Sequence, residues 1–361
     1  MMKVYGISVS YYTGKLEAYL RYKGIDYEME SPYHQSEKVI ANAGALQVPV
    51  VEREDGRWMS DSTPIILQLE KEQPTPSVIP DNPVVRYISR LIEDYADEWL
   101  WRPAMHYRWS YEHDRELLSR ILVDELAEHV RAPRFFKLRM IRKRQHTGFV
   151  LNDGVTDATR SHVETGYLAA LANMSTMLAE RPYLLGQTPS IADFGLMGPM
   201  LRHFGQDPTP AEIMRNQGPA VFDWLSRVWN ARDTAGRSMF LSTVPEDAAP
   251  MLREIAETHL VQLRDNAIAF GKGQRHFDMA VQGCAYQHLP VSRYRVYCLE
   301  KLRDEYAALS EADQDSVRAL LPWPGAGILW QDSIGAESGY DAAGEAPFNK
   351  AINVYGDGVP G

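Results

Sequence analysis

Two short stretches carry residue types that can hold a small peptide. In "LQVPVVERE", residues 46–54, Pro49 interrupts an otherwise strand-like run. A proline removes a ladder donor, so it is tolerated at a strand's start and disfavoured in its middle. A cis Val48-Pro49 bond there would turn the Val48 backbone towards whatever lies in front, and an extended peptide could pair with it as an added strand. In "SDSTPIILQLE", residues 60–70, Asp61 and Ser62 stand where a helix begins, with Pro64 suited to its first turn. Helix N-termini present unpaired N–H groups and a partial positive charge, which suit a carboxylate. Asp61 suits an amine. A free α-amino-acid end is both, so a ligand with such a head and an extended peptide body fits the two stretches together.

The surrounding sequence must supply the elements that position them. Residues 3–9 read as a strand, and 13–24 as a helix burying Leu16, Tyr19 and Leu20 and stopped by Gly24. "IDYEMES" reads as a second strand, followed by a weak helix. Asp55-Gly56 between "VPVVERE" and "RWMS" is a hairpin signal, and a helix follows over 63–71. The order is β-α-β-α-β-β-α in residues 1–75. A proline-rich break, "EQPTPSVIPDNP", gives a linker at 76–84. Helical periodicity then dominates residues 85–245, with segments near 85–112, 114–130, 155–181, 190–204 and 219–232. Ser190 and Asp193 have the spacing of a capping box. An extension, 246–322, reads as a helix, a short hairpin around "HFDMAVQGCAYQHL", a further helix and a second capping box at Ser310 and Asp313. Residues 323–361, rich in glycine, proline and acid, read as a loosely structured tail.

Composition narrows the function. The chain of 361 residues is 45 % hydrophobic and 24 % charged, with a formal net charge of −10. That balance is globular and argues against nucleic acid or an anionic membrane as partner. No apolar run approaches the ~18 residues of a membrane span, and "MMKVYGISVS" reads as a first strand rather than a leader. The only cysteines, Cys284 and Cys298, make neither a disulfide scaffold nor a zinc ribbon. A reduced cytoplasm is the expected setting. No phosphate loop, G-x-S-x-G or H-E-x-x-H occurs, and the histidines are too scattered for a metal site.

"QVPVV…DSTPIILQLE" after a β-α-β start resembles the cytosolic glutathione transferases, in the form of a bacterial, serine-type-like member with a long C-terminal extension. "PSIADF" resembles that family's capping-box helix, and the likeness covers residues 1–240. It implies an α/β thioredoxin-like N-terminal domain, an all-α C-terminal domain, and here a mostly helical extension beyond. By resemblance, Val48 and Pro49 would hold the cysteinyl backbone of glutathione, and Asp61 and Ser62 its γ-glutamyl group. Gln47 stands where the family often has Lys or His, and would reach the glycine carboxylate without charge. The residue supporting the thiolate counts to Ser10, with Tyr11, Tyr12 and Thr13 as alternatives. The tyrosine-type position falls on Gly6, and Tyr5, one residue off, points to the other face. Lowering a thiol pKa of about 8.5 by roughly two units takes about 2.7 kcal/mol, within reach of a charged hydrogen bond plus a helix end. No cysteine lies in residues 1–283, so the thiolate of glutathione itself would be the nucleophile.

The implied function is glutathione-dependent transfer or lyase chemistry on a hydrophobic or aromatic electrophile, as in detoxification, in a homodimer. Glutathione would be co-substrate, with no metal. Trp101, His106, Tyr107, Trp109 and Tyr111 would line the acceptor pocket, or serve as core packing. The basic run 131–146 reads as a solvated face or as a contact for an anionic group. The alternative is a non-catalytic binding or scaffold protein working through its extension.

Overall fold

The computed structural model describes residues 1–127, 130–232, 236–331 and 337–352. Of the expected helix 114–130, residues 128–129 lie outside that range, as do residues 332–336 and 353–361 of the expected tail.

The first 72 residues follow the expected order: β1 (Met2–Tyr5), α1 (Tyr11–Lys23), β2 (Tyr27–Glu30), α2 (Ser36–Ala43), β3 (Val50–Glu52), β4 (Trp58–Ser60) and α3 (Ser62–Glu72). The sheet runs β2-β1-β3-β4, with β1 parallel to β2 and antiparallel to β3. Alternation sorts the side chains. Val4 and Val51 join the main core under α1 and α3, whereas Tyr5 and Val50 pack with Val39 and Ala43 of α2 on the other face. The strand expected to reach residue 9 stops at Tyr5. Gly6 sits where a Cβ would meet Thr13 and Met29 at 2.6 and 2.8 Å. From there the chain turns, Ser10 N–H donating to the Ile7 carbonyl at 3.0 Å.

The helical part comprises α4 (Pro83–Glu98), α5 (Trp101–Ser110), α6 (Glu112–Leu126), α7 (Arg134–His146), α8 (Arg160–Leu178), α9 (Ile191–Pro199), α10 (Pro208–Gln217) and α11 (Pro219–Asn230). The helix expected over 85–112 is two helices. The Pro103 ring would clash with the Trp99 carbonyl one turn back, so the ladder breaks at Trp99-Leu100. The basic run forms α7 and continues into a wide π turn, Thr147–Leu151. At the capping box, Asp193 accepts from the Ser190 N–H at 2.9 Å and from the Leu184 N–H and Trp224 indole at 3.1 and 3.0 Å.

In the extension, the expected first helix splits at Thr258 into α12 (Ala249–Glu257) and α13 (His259–Gly271). The hairpin of β5 (His276–Val281) and β6 (Cys284–Pro290) leads to α14 (Arg293–Ala307) and α15 (Glu311–Leu320). Among the described residues of the expected tail, Pro324–Leu329 form a 3-10 turn that buries Ala326, Ile328 and Leu329 against α12 and α13. A continuous set of contacting buried side chains runs from Val4 to Leu329. Its centre is α4, buried from Tyr87 to Glu98 on all sides, with α9 against it and α14 and α15 covering it. Polar side chains cross this seam in pairs. His259 meets Asp94 at 2.7 Å, Arg295 meets Glu98 at 3.1 Å, and Arg102 donates to Gln262 at 2.7 Å. Among the described residues, no helix is long and apolar enough to cross a membrane.

Candidate functional site

A cavity of about 1000 Å³ opens where the β1–α1 loop, the start of β3, the N-terminus of α3, α5 and the N-terminus of α14 meet. Ser10, Tyr11, Tyr12, Gln47, Val48, Pro49, Asp61 and Ser62 all line it. Residues 50 positions apart in sequence thus share one wall, and the Val48-Pro49 bond is cis.

Two helix N-termini face the cavity. Ser10 is the N-cap of α1 in extended conformation, and its Oγ accepts from the Thr13 N–H at 3.3 Å. Among the described residues no acceptor takes the hydroxyl proton, and Ser10 lines the cavity. The alternatives are committed elsewhere. Tyr11 is buried and donates to the Ala96 carbonyl; burial, with Asp97 and Glu98 adding, pushes its pKa far up. Tyr12 donates to the Asp97 carbonyl at 3.1 Å. Thr13 is wholly buried against Gly6 and does not line the cavity. Tyr5 lies on the far face, donating to Glu52 at 2.8 Å and stacked on Trp58.

Asp61 precedes α3 with φ +73°, an uncommon conformation for a residue with a side chain. Its carboxylate does not cap its own helix. It accepts from the Tyr294 hydroxyl of α14 at 2.7 Å. Burial pushes its pKa up to about 6, against the pull of Tyr294, Lys15 and the nearby Thr63 N–H. Behind it, Lys15, Glu93, Asp97 and Thr63 form a buried hydrogen-bonded cluster. Burial alone would lower Lys15, but Asp97 and Glu93 outweigh it and hold the ammonium charged. Ser62 is buried at the first position of α3. The Gln47 amide, expected to reach a ligand carboxylate, donates to the Ile352 carbonyl at 3.4 Å.

The structure divides the expected acceptor residues. Trp101 and Trp109 line the cavity with Met105 and Arg108, the i, i+4, i+7, i+8 face of α5. Trp101 stacks on Tyr12 at 5.7 Å. His106, Tyr107 and Tyr111 point the other way and are not part of the site. His106 lies between Ser110 and Glu164, each at 2.9 Å; Tyr111 donates to Glu164 at 2.8 Å, and Tyr107 packs on Tyr167. On the basic helix, Arg134, Phe135, Phe136, Arg139, Met140 and Lys143 face solvent, but Arg144 and Gln145 reach the cavity.

Two further residues matter that sequence reasoning missed. Arg108, buried, pairs with Asp207 at 2.7 Å and donates to the Val9 carbonyl at 2.8 Å, fixing the loop that carries Ser10. His203, on the π turn Met200–Phe204, also lines the cavity; burial and Arg108 push its pKa far down, so it is neutral. Neither cysteine is a ready nucleophile. Cys298 is buried with its pKa pushed well up by that burial, and burial also raises Cys284. Among the described residues, no cluster of three or more His, Cys, Asp or Glu could hold a metal ion.

Residues 4–77 match the family model described as glutathione S-transferase, N-terminal domain. No curated protein matches the chain. Among solved structures, a glutathione S-transferase from Rhodospirillum rubrum is similar at 19 % identity and TM-score 0.43, covering 70 % of this chain and 92 % of that one. The beta-etherase LigF from Sphingobium sp. is similar at 21 % identity and TM-score 0.45, covering 63 % and 94 %. A Tau class glutathione S-transferase from mango gives 16 %, 0.41, 63 % and 90 %.

Proposed function

We propose, for a chain whose residues 4–77 match the glutathione S-transferase N-terminal domain, that it is a glutathione transferase-like protein that binds glutathione and uses the thiolate against a hydrophobic electrophile. The observation that supports this most is the place of the Ser10 hydroxyl, at the N-terminus of α1 and at the same cavity as Val48, Asp61 and Ser62. Asp61 takes the α-ammonium, and the N-terminus of α3 with Ser62 takes the α-carboxylate. The Val48 backbone pairs with the peptide body. Ser10 donates to the thiolate, and the adjacent N–H groups of α1 add their field. The acceptor lies against Trp101, Trp109 and Met105, with neutral His203 within the same wall. The thiolate sulfur forms a bond to the electrophilic carbon, and either a leaving group departs with its electron pair or an acceptor bond takes up the charge. Detoxification is one use of such chemistry, and a reduced, cytoplasmic setting suits two free cysteines.

The test is the ultraviolet absorbance of bound thiolate against pH in wild type and Ser10→Ala. A thiolate pKa near 6.5 in wild type that returns towards about 8.5 in the variant supports the role; equal values remove it. A non-catalytic binding or scaffold role is favoured by one observation, the contact of Tyr294 on Asp61. It predicts no turnover on any electrophile despite glutathione binding. A homodimer, implied by the resemblance, would have to use a surface other than α4, which α14 and α15 already cover. Sedimentation velocity decides its existence.

A further inference from the structure

The C-terminal segment 337–352 lies over the mouth of the same cavity. It is anchored on α14, where Glu300 accepts from both the N–H and the hydroxyl of Ser338, and Arg293 donates to the Gly339 carbonyl at 2.8 Å. Tyr340 packs on Tyr294 and Tyr297, ring centroids 5.2 and 4.8 Å apart. The chain then follows the outer edge of β4. Ser60 N–H donates to the Pro347 carbonyl at 2.9 Å, and the Arg57 guanidinium lies 4.5 Å over Phe348. Its end seats on α2, where Ala351 N–H donates to the Ala43 carbonyl at 2.8 Å. Gly44, at φ +88°, makes that seat possible, since a Cβ there would stand 2.5 Å from the Ala351 carbonyl oxygen. Tyr340 and Ala351 line the cavity, and the Ile352 carbonyl accepts from Gln47.

We infer that residues 337–352 are an intramolecular competitor for the glycyl end of the glutathione site. The inference rests on the reading that this cavity binds glutathione. A peptide extending from Val48 past Gln47 meets the ground that the segment holds. It must take the Gln47 amide from Ile352 and displace Ala351 from the wall. The exchange is feasible because the lost contacts are few and each is modest, about 1 kcal/mol per hydrogen bond. The segment also lacks helix or strand of its own, which places it among the parts that open locally at low cost. Apparent affinity is then the intrinsic affinity scaled by the fraction of molecules with the segment displaced.

The test is calorimetric titration of glutathione into the full-length protein and into the variant Ser338→Ala/Phe348→Ala. Both changes loosen the anchors, and neither residue lines the cavity. The expected result is affinity about fivefold tighter in the variant, the equivalent of one hydrogen bond. Hydrogen exchange of wild type supplies a second readout: amides of residues 338–352 exchange faster when glutathione is saturating. Equal or weaker affinity in the variant, or amides slowed by glutathione, overturns the competitor and leaves the glutathione site standing. Absence of binding in both proteins overturns the glutathione reading itself, and the competitor with it. If the variant does not fold, the exchange measurement on wild type decides alone.

Discussion

The starts of α1 and α3 face one cavity and are built on opposite plans. Ser10 satisfies its own helix: its Oγ holds the Thr13 N–H, and the residue sits in ordinary extended conformation. Asp61 leaves its helix uncapped, takes a left-handed backbone conformation and gives its carboxylate to a tyrosine 233 positions away. A capping serine is locally stable and keeps one proton to donate. A carboxylate that does not cap depends on something else to meet it. The difference suits the two tasks: one end must stay fixed while sulfur chemistry proceeds, and the other must exchange partners each time a ligand arrives.

Substitutions can break this contrast. The largest effect is expected at Ser10. Measured below about pH 6, where the thiol is mostly protonated with or without the serine, Ser10→Ala should lower kcat by about a hundredfold, the equivalent of a two-unit rise in thiolate pKa, with glutathione affinity little changed. It should also lower stability by about 1 kcal/mol through the lost cap, whereas Ser10→Gly should cost only a few tenths yet be as slow. Steady-state kinetics beside thermal unfolding separates the roles, and a fast Ser10→Gly enzyme would refute the assignment. Next comes Asp61→Asn, which keeps a residue tolerant of φ +73° but removes the charge. Affinity for glutathione should fall about tenfold to a hundredfold by calorimetry, the range of a charged hydrogen bond.

The pH dependence has a definite sign. In the free protein Asp61 is raised to about 6, and the ammonium of glutathione needs the carboxylate. Affinity should therefore bend at that pH and fall about tenfold per unit below it, while between about pH 6.5 and 8.5 the lowered thiol pKa adds a further rise. In Asp61→Asn this bend should vanish. The smallest effect is at Ser62→Ala, where one neutral hydrogen bond is lost and affinity should drop about fivefold. A loss much larger than that would mean that Ser62, rather than Asp61, anchors the ligand.

The order of elements through residue 72 was legible because strand alternation, Gly24 and the Asp55-Gly56 hairpin are local signals. Val48, Pro49, Asp61 and Ser62 are brought to one site by the family resemblance and by the ligand that the two stretches would suit together, and all four line one cavity. Local pattern misjudged continuity. The break at Trp99 follows from Pro103, a cue that the aromatic periodicity of 85–112 concealed. The side of α5 was not legible. Trp101 and Trp109 share a face that excludes His106 and Tyr107, but nothing in the helix says which face meets the cavity. Arg108 acts through Asp207 and Val9, each 99 positions away, and Tyr294 through Asp61 across 233. Such pairs are properties of the packed molecule.

The charge pairs across α4 have a consequence for how the molecule comes apart. Removing the extension would leave Asp94 without His259 and Glu98 without Arg295, both in positions that the extension now shields. Its removal would also bare the apolar side chains of α4 that α14 and α15 now cover, and that lost shared core, more than the two carboxylates returned to water, is what the remainder would forfeit. The appended third of the chain is therefore not detachable cargo. Heating should give one calorimetric transition for the whole molecule, since one continuous core joins the extension to the rest.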